Sequence, residues 1–180
     1  ATAKAYWEEL KPTLSPEEAA HHPARYALAE LENIHSPAIL VEPIHRAVFG
    51  VDPAELRTAL RACCGAATES DAQPFTLLTQ DGDTALSFTA PTEPLCVGSV
   101  DAFLAQYRVQ HPALRVDYIH GEDALRRLCN ETTVGFLLPP FDKNDLFRGV
   151  YLGGVLPRKT FSMGHAEEKR YYLESRKITR

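Results

Sequence analysis

A stretch near the end of the chain, GGVLPRKTFSMGH at residues 153–165, concentrates groups that bind anions. Arg158 and Lys159 supply two positive charges, and an arginine can donate to two oxygens of a phosphate or carboxylate. Thr160 and Ser162 add hydroxyl donors, and the glycines let backbone amides turn toward a ligand. The spacing differs from a Walker loop, which has glycine directly before lysine. The composition fits an anion cradle or a basic surface loop after a helix, and alone it favours the loop.

A second group of ionisable side chains lies in VEPIHR, residues 41–46, within a hydrophobic strand pattern. On an extended strand Glu42 and Arg46 share one face, where they can be neighbours, and His45 points to the other. The alternative is an edge strand with a solvated face. Pro43 favours that alternative because proline cannot donate to a sheet ladder. The residues leave the two interpretations about even.

Other polar groups give weaker signals for a site. The histidines at 21–22 have no acidic partner at ligand spacing, which favours a solvent-exposed pair. HGED at 120–123 has the composition of an ordinary helix start, and the charged residues at 167–170 fit a solvated run. The sequence has no nucleophile elbow, zinc motif or dinucleotide fingerprint. It therefore predicts no metal site and leaves the cofactor unknown.

The composition limits the class of protein. With 180 residues and 44% hydrophobic content, the chain can bury the core of one domain. A formal net charge of −5 disfavours nucleic acid and membrane surfaces as partners, because their binders carry an excess of Lys and Arg. No apolar run is long enough for a membrane helix, and no signal segment opens the sequence. These features predict a cytoplasmic protein.

The cysteines do not show the spacing of a zinc knuckle, a redox motif or a disulfide framework. They are Cys63, Cys64, Cys96 and Cys129. The first two lie at the apolar end of a predicted helix, so we expect small buried hydrophobic side chains.

Local patterns predict which elements hold these groups. The first half is expected to contain a helix at 1–10, a helical turn capped by Ser15 and a strand at 36–50. Residues 24–34 have a composition that favours a helix, but their period-two pattern also fits a strand, and we expect them to pair with 36–50 as a hairpin. A helix capped by Asp52 is expected to follow.

The second half should start with a hairpin at 75–91 that turns at Asp81-Gly82. After it we expect a helix capped by Ser99, a strand–helix–strand unit over 114–140 and a helix capped by Asp142. The segment 170–178 is expected to be a closing strand, with a helix from Ala166 as the alternative. The predicted fold class is α+β or mixed α/β, with antiparallel hairpins first and a βαβ portion with parallel strands after.

Three segments in order, SPAILVEPIHRAVFG, VDYIHGEDALRRL and GGVLPRKTFSMGHAEEKRYYLESRKI, resemble a bacterial and archaeal family catalogued as domain of unknown function 1015. The family's Pro-x-His-Arg pattern is matched by Pro43 to Arg46. Its Met-Pro-x-Lys-Ser/Thr pattern is matched by residues 156–160, with Leu156 in place of methionine. The resemblance implies an uncharacterised protein without an assigned activity.

The resemblance also implies a domain arrangement. Family members are roughly twice as long, so this chain is expected to be one domain, 1–180, from the C-terminal half of a longer protein. Residues 1–22 would be a helical lead-in belonging to the missing half, and the seam left by that half could support a homodimer. The family's front half is similar to the ParB/sulfiredoxin-like superfamily, which includes nucleotide-using proteins and a free-serine kinase.

Together these patterns predict one site, at which the two basic segments converge on a phosphate or carboxylate. Arg46 and Arg158 would fork the anion and Lys159 would neutralise it. Thr160 and Ser162 would donate hydrogen bonds, and His45 would be the catalytic acid or base. The implied function is binding of a phosphorylated or carboxylated small molecule or nucleotide, with phosphoryl transfer linked to serine metabolism as its extension. The alternative is a non-enzymatic regulatory or interaction module that packs on the missing half.

Overall fold

A computed structural model of the chain describes residues 2–165 except 28, 30, 69–72 and 141, with the side chains of Thr2, Asp145 and Arg148 left out. The chain divides into two compact units, 1–33 and 34–180. The predicted closing element at 170–178 and the charged run at 167–170 lie outside the described residues. No helix in the described part is long and apolar enough to cross a membrane.

The first unit is helical. It contains α1, Thr2–Leu10, and α2, Pro16–His21, with 3₁₀ turns at Lys11–Thr13 and Pro23–Arg25. Ser15 caps α2 as predicted, because its hydroxyl accepts from the Glu18 amide while the Glu18 carboxylate accepts from the Ser15 amide.

The second unit is a sheet with helices on its two faces. Its strands are β1 Val41–Phe49, β2 Cys64–Ala66, β3 Pro74–Thr79, β4 Gly82–Phe88, β5 Arg115–His120, β6 Thr133–Leu137 and β7 Phe161–Met163. Its helices are α3 Pro53–Leu60, α4 Cys96–Gln110, α5 Glu122–Leu128 and α6 Asp145–Gly153. The predicted α+β class is therefore confirmed.

The strands follow the order β2-β4-β3-β6-β1-β5, and β7 pairs with the first residues of β1. Neighbouring strands in the described part are antiparallel. Both β5 and β6 are antiparallel to β1, so they run in the same direction with β1 between them. The strand–helix–strand prediction gave the right strand directions, but the two strands are not neighbours.

The predicted pairing of 24–34 with 36–50 is wrong. The described residues between Tyr26 and Leu40 form turns and no strand, and β1 pairs with β5, β6 and β7 instead. Residues 24–34 are rich in Ala, Leu and Glu and poor in β-branched side chains, so little favours a strand there. Leu31 is fully exposed, which removes the burial that would hold a strand in a sheet.

Two predicted helix caps also differ. Helix α4 begins at Cys96, and Ser99 lies inside it, where its hydroxyl donates to Gln73 Oε1 at 2.6 Å. At α6 the Asp142 carboxylate accepts from the Asn144 amide, outside the helix. The cap at Asp52 and the β3–β4 hairpin are confirmed, although Gly82 follows the turn residues and opens β4.

The core has one part on each face of the sheet. Helices α3 and α4 cover the larger part, which includes Val48 of β1 and Phe136 of β6. Helix α5 covers the smaller part, which includes Ala47 of β1 and Leu125. Successive residues of β1 therefore face different helices, and this alternation places the candidate site.

Candidate functional site

Strand β1 carries two buried ionisable side chains side by side. His45 is 4% exposed and Arg46 is completely buried. They lie on opposite faces, as predicted for neighbours on a strand: Arg46 reaches Asp101 of α4, and His45 lies on the face covered by α5. The strand thus places the two groups in separate environments.

All five N–H groups of Arg46 have protein acceptors. Its Nε and one Nη donate to the two carboxylate oxygens of Asp101 at 2.8 and 2.9 Å. The other donations go to the carbonyls of Ile44, Lys159 and Arg158 at 2.7, 3.1 and 3.3 Å. A guanidinium has five N–H donors, so in this structure Arg46 keeps none for an anion. Its guanidinium also lies 4.7 Å from the centroid of the Tyr118 ring.

The loop that carries the second basic segment is fixed from inside. Lys159 has a φ of 57°, an uncommon left-handed conformation for a residue with a side chain. The buried Thr160 hydroxyl donates to the carbonyl of Pro157 at 2.6 Å and closes the turn. The carbonyls of Arg158 and Lys159 face Arg46, whereas their side chains are exposed. The two segments do meet, but the contacts join the Arg46 side chain to the loop backbone.

Ser162 lies on β7, opposite Glu42 of β1, and is half-buried. The Glu42 carboxylate contacts His120 Nε2 through one oxygen and His165 Nδ1 through the other, the latter at 2.6 Å. These contacts, led by the hydrogen bond with His120, lower the pKa of Glu42. The sequence predicted that Glu42 and Arg46 could be neighbours. In the structure Arg46 pairs with Asp101, and Glu42 contacts His120 and His165.

Burial and one hydrogen bond fix the protonation state of His45. Desolvation lowers its pKa to about 4, with further lowering from the charges of His120 and Arg46 and opposition from Glu122. The ring is therefore neutral at physiological pH. Its Nδ1 accepts the Leu138 amide at 3.1 Å, so the ring proton lies on Nε2. His45 can donate a hydrogen bond from Nε2 but cannot accept a proton there.

His45 lines a cavity of about 370 Å³ on the α5 face of the sheet. Its walls are mainly apolar and include Phe75, Leu137 and several prolines, with Glu122 as the charged residue. A neighbouring cavity of about 160 Å³ is lined by the first residues of α4 together with Asp142 and Thr160. The two cavities share four wall residues: Pro43, Leu138, Pro139 and Pro140. We call this pair of cavities the proline groove.

The structure thus distributes the predicted site residues over three places. His45 lies in the larger cavity of the proline groove and Thr160 in the smaller one. Arg46, Arg158 and Lys159 lie together on the α4 face, and Ser162 lies on β7. Binding of a ligand by any of them stays a prediction.

Sequence reasoning did not identify Asp101, the partner of Arg46, and it dismissed Glu122, which borders the cavity beside His45. Asp101 is 55 positions from Arg46, and nothing in the local pattern around it marks a buried ion pair. Glu122 had a weak signal, because it lies just after the end of β5 and opens α5.

Comparisons with known proteins agree with this architecture. The sequence model of the family described as "Protein of unknown function (DUF1015)" matches residues 1–118. The Pro-x-His-Arg pattern lies inside the matched residues, and the Leu156–Thr160 pattern lies beyond them. No curated protein matches the chain. A solved structure titled "Free serine kinase in complex with AMP" is similar, with a TM-score of 0.53 and 15% identity. The match covers 91% of this chain and 79% of that chain, and at this identity it shows a shared fold.

Proposed function

This chain belongs to the DUF1015 family of proteins of unknown function, and we propose that it binds a phosphorylated small molecule in the proline groove, with a nucleotide as the best-fitting class. A carboxylated metabolite is the related ligand that the same donors would accept. We propose the cytoplasm as the place of action, in keeping with the sequence.

The observation that carries the proposal is the larger cavity with His45 in its wall. Its volume of about 370 Å³ lies within the range of roughly 300–1,000 Å³ that is typical of small-molecule sites. Apolar walls with few oriented polar groups are also typical of such sites. Prolines and Phe75 give flat surfaces for a base or sugar, and the neutral His45 offers its Nε2–H to a ligand oxygen or ring nitrogen.

The smaller cavity is the proposed place for the phosphate. It contains the start of α4, where Leu95 provides no side-chain acceptor for the first amides of a 15-residue helix. Thr160 also lines it, and the exposed cations of Arg158 and Lys159 belong to the same loop. The negative charge of Asp142 would repel an anion in this cavity. Its carboxylate accepts two hydrogen bonds from Asn144, at 2.8 Å each, which partly offset that charge.

The shared fold supports a nucleotide as the ligand class, since the similar kinase was solved with AMP. We extend the proposal to phosphoryl transfer between a nucleotide and the hydroxyl of serine or a serine-like compound. In such a reaction the exposed cations would stabilise the charge that develops on the transferred group. Incubation of the chain with L-serine, ATP or ADP and magnesium, followed by ³¹P NMR, tests the extension. If phosphoserine does not form under conditions in which AMP binds, the extension fails and the binding proposal stands.

Calorimetric titration of the whole chain with AMP, adenosine and inorganic phosphate tests the binding proposal. We expect AMP to bind more tightly than adenosine or phosphate, because it fills both cavities. His45→Asn keeps an acceptor for the Leu138 amide but loses the donor at Nε2, so AMP affinity should fall roughly tenfold. His111→Asn is the matched control, since His111 lies between α3 and α4, and it should leave AMP affinity unchanged.

A second titration addresses the phosphate. Arg158→Ala and Lys159→Ala remove the charges but keep the carbonyls that Arg46 holds, so the loop should stay in place. Both variants should lower the affinity for AMP more than the affinity for adenosine. The proposal is abandoned if the folded chain binds neither AMP nor adenosine at millimolar concentration, or if His45→Asn and His111→Asn behave alike.

The alternative function is a non-enzymatic interaction module, and the surface of α6 favours it. Phe147, Tyr151 and Leu152 of α6 and Val155 after it are 63%, 89%, 62% and 96% exposed. The helix packs inward through Gly149 and Gly153, against Leu95 and Pro94. A homodimer through this apolar face would appear as a doubled mass in light scattering, and Tyr151→Ser with Val155→Ser should restore the monomer.

A further inference from the structure

A cavity of about 470 Å³ lies between α3 and α4. We call it the α3–α4 cavity. Glu55 and Thr58 border it from α3, and Tyr107, Gln110 and His111 border it from the end of α4. None of these residues contributes to the proline groove. The cavity is therefore a separate place to look for a ligand.

The notable feature of this cavity is the Tyr107 hydroxyl, which makes no hydrogen bond to the described residues. Tyr107 is 8% exposed, and its hydroxyl is buried without a hydrogen-bond partner among the described residues. Its ring is fixed by stacking on His111 and on Phe103, with ring centroids 4.0 and 5.8 Å apart. A buried hydroxyl is normally paired with protein or water. Tyr107 lines the α3–α4 cavity, and its hydroxyl is buried below that lining.

The charges around the hydroxyl are negative. Burial raises the pKa of Tyr107, and the carboxylates of Glu55 and Asp52 raise it further. Glu55 is 57% exposed and makes a long contact of 3.5 Å with His111 Nε2. Asp52 accepts the Ala54 amide at the start of α3. The group that suits this place is a positively charged hydrogen-bond donor.

We propose that the α3–α4 cavity binds a small primary ammonium compound. The ammonium group donates one hydrogen bond to the Tyr107 hydroxyl oxygen and pairs with the Glu55 carboxylate. An ammonium has three donors, so Gln110 can accept the third through its amide oxygen. The hydrocarbon part of the ligand lies against Ala59 of α3.

The test uses n-propylammonium as the probe, with propan-1-ol and propionate as its neutral and anionic counterparts. Each is titrated into the whole chain, and amide shifts are followed by ¹H–¹⁵N NMR. We expect saturable shifts centred on Glu55, Tyr107 and His111 for the ammonium alone. Tyr107→Phe should weaken binding at least fivefold, and so should Glu55→Gln. The control Tyr151→Phe removes the hydroxyl of an exposed tyrosine and should change nothing.

Two results would overturn the proposal. Equal responses to propan-1-ol and n-propylammonium would mean that the cavity recognises no charge. Unchanged ammonium binding in Tyr107→Phe would mean that the hydroxyl meets only water. Tyr107→Phe removes an unpaired buried group, so it should fold at least as well as the parent chain, and a thermal melt checks this. If Tyr107→Phe misfolds, Glu55→Gln provides an independent test, because Glu55 is at an exposed position.

Discussion

Arg46 and His45 are adjacent on β1 and both buried, but their polar groups have very different surroundings. Every N–H of Arg46 has an acceptor, and two of them form parallel hydrogen bonds to the Asp101 carboxylate. His45 is neutral because burial outweighs the opposing charge of Glu122, and only one of its ring nitrogens has a protein partner in the described structure. The first group joins strand, helix and loop, whereas the second borders open space.

The comparison shows what residue type alone leaves out, namely which hydrogen-bond donors the fold already uses. Arginine was the stronger candidate for an anion, since its fork suits phosphate. Once its donors are all engaged, a buried arginine becomes a positioning residue for the loop at 157–160. The neutral histidine, the weaker candidate by charge, lines a cavity and keeps a donor at Nε2 for which the described residues provide no acceptor. Buried polar groups in folded proteins are normally hydrogen-bonded, so a donor without a protein partner is a better candidate for a ligand contact than a fully paired charge.

The largest expected effect comes from breaking the Arg46–Asp101 pair. Asp101→Ala leaves a buried guanidinium without its counter-charge, which should lower the free energy of unfolding by about 3–5 kcal/mol in urea denaturation. Asp83→Ala, the control, removes an exposed partner of Arg126 and should cost roughly 1 kcal/mol or less. Equal losses from the two variants would mean that Arg46 is not the structural centre of this region.

The protonation of His45 gives the next largest effect. Unfolded, the ring takes up a proton near pH 6.5, whereas the folded protein does so only near pH 4. The unfolded state therefore binds more protons in this window, and stability falls as the pH decreases from 6.5 to 4. The loss attributable to His45 is about 3 kcal/mol, at roughly 1.4 kcal/mol per pH unit.

The measurement compares denaturation of the parent chain and His45→Asn at several pH values. Other groups titrate in both proteins, so their contribution cancels in the difference. The difference should change steadily between pH 6.5 and pH 4 and stay flat above pH 7. A constant difference across the whole range would show that the His45 pKa is ordinary.

A smaller effect concerns how α5 is held beside His45. A Cβ at Gly135 would lie 2.8 Å from Leu125 Cγ and 3.2 Å from Cys129 Sγ. Gly135→Ala should therefore push α5, and Glu122 with it, away from the sheet at a cost of about 1–3 kcal/mol. Gly65→Ala is the matched strand control, because its nearest neighbour, Thr89 Cγ2, lies at an ordinary 3.5 Å. If both variants melt alike, the close approach of α5 is not what fixes the cavity.

Local chemistry accounts for the parts of the fold that sequence could predict. Asp52 before Pro53 and Ser15 before Pro16 place an acceptor beside the first amides of a helix, and both caps are present. The period-two pattern of β1 correctly placed His45 and Arg46 on opposite faces. The predicted cap at Ser99 was wrong because a serine inside a helix with a buried hydrogen-bond partner cannot be told from a capping serine by its sequence neighbours.

The contacts between residues far apart in the chain could not be predicted from local sequence patterns. β1 pairs with β5 and β6, which lie more than 60 residues later in the chain, and does not pair with the segment just before it. Asp101 is a single acidic residue on a helix, and only the packing of α4 against β1 makes it the partner of Arg46. Two segments predicted to share an anion do come together, but the fold joins them through carbonyls that no composition reveals.

The smallest effect distinguishes the inner support of the loop from ordinary turn chemistry. Thr160 and Thr13 each donate a hydroxyl hydrogen bond to the carbonyl three residues earlier, at 2.6 and 2.7 Å. Thr160 is buried at 6% exposure, whereas the bond of Thr13 is exposed to water. Thr160→Val should therefore lower the free energy of unfolding by roughly 1 kcal/mol, and Thr13→Val by less than about 0.5 kcal/mol. The Thr160 hydroxyl and Arg46 both donate hydrogen bonds to carbonyls of this turn, in which Lys159 has a left-handed conformation. Equal losses in urea denaturation would mean that Arg46 alone suffices.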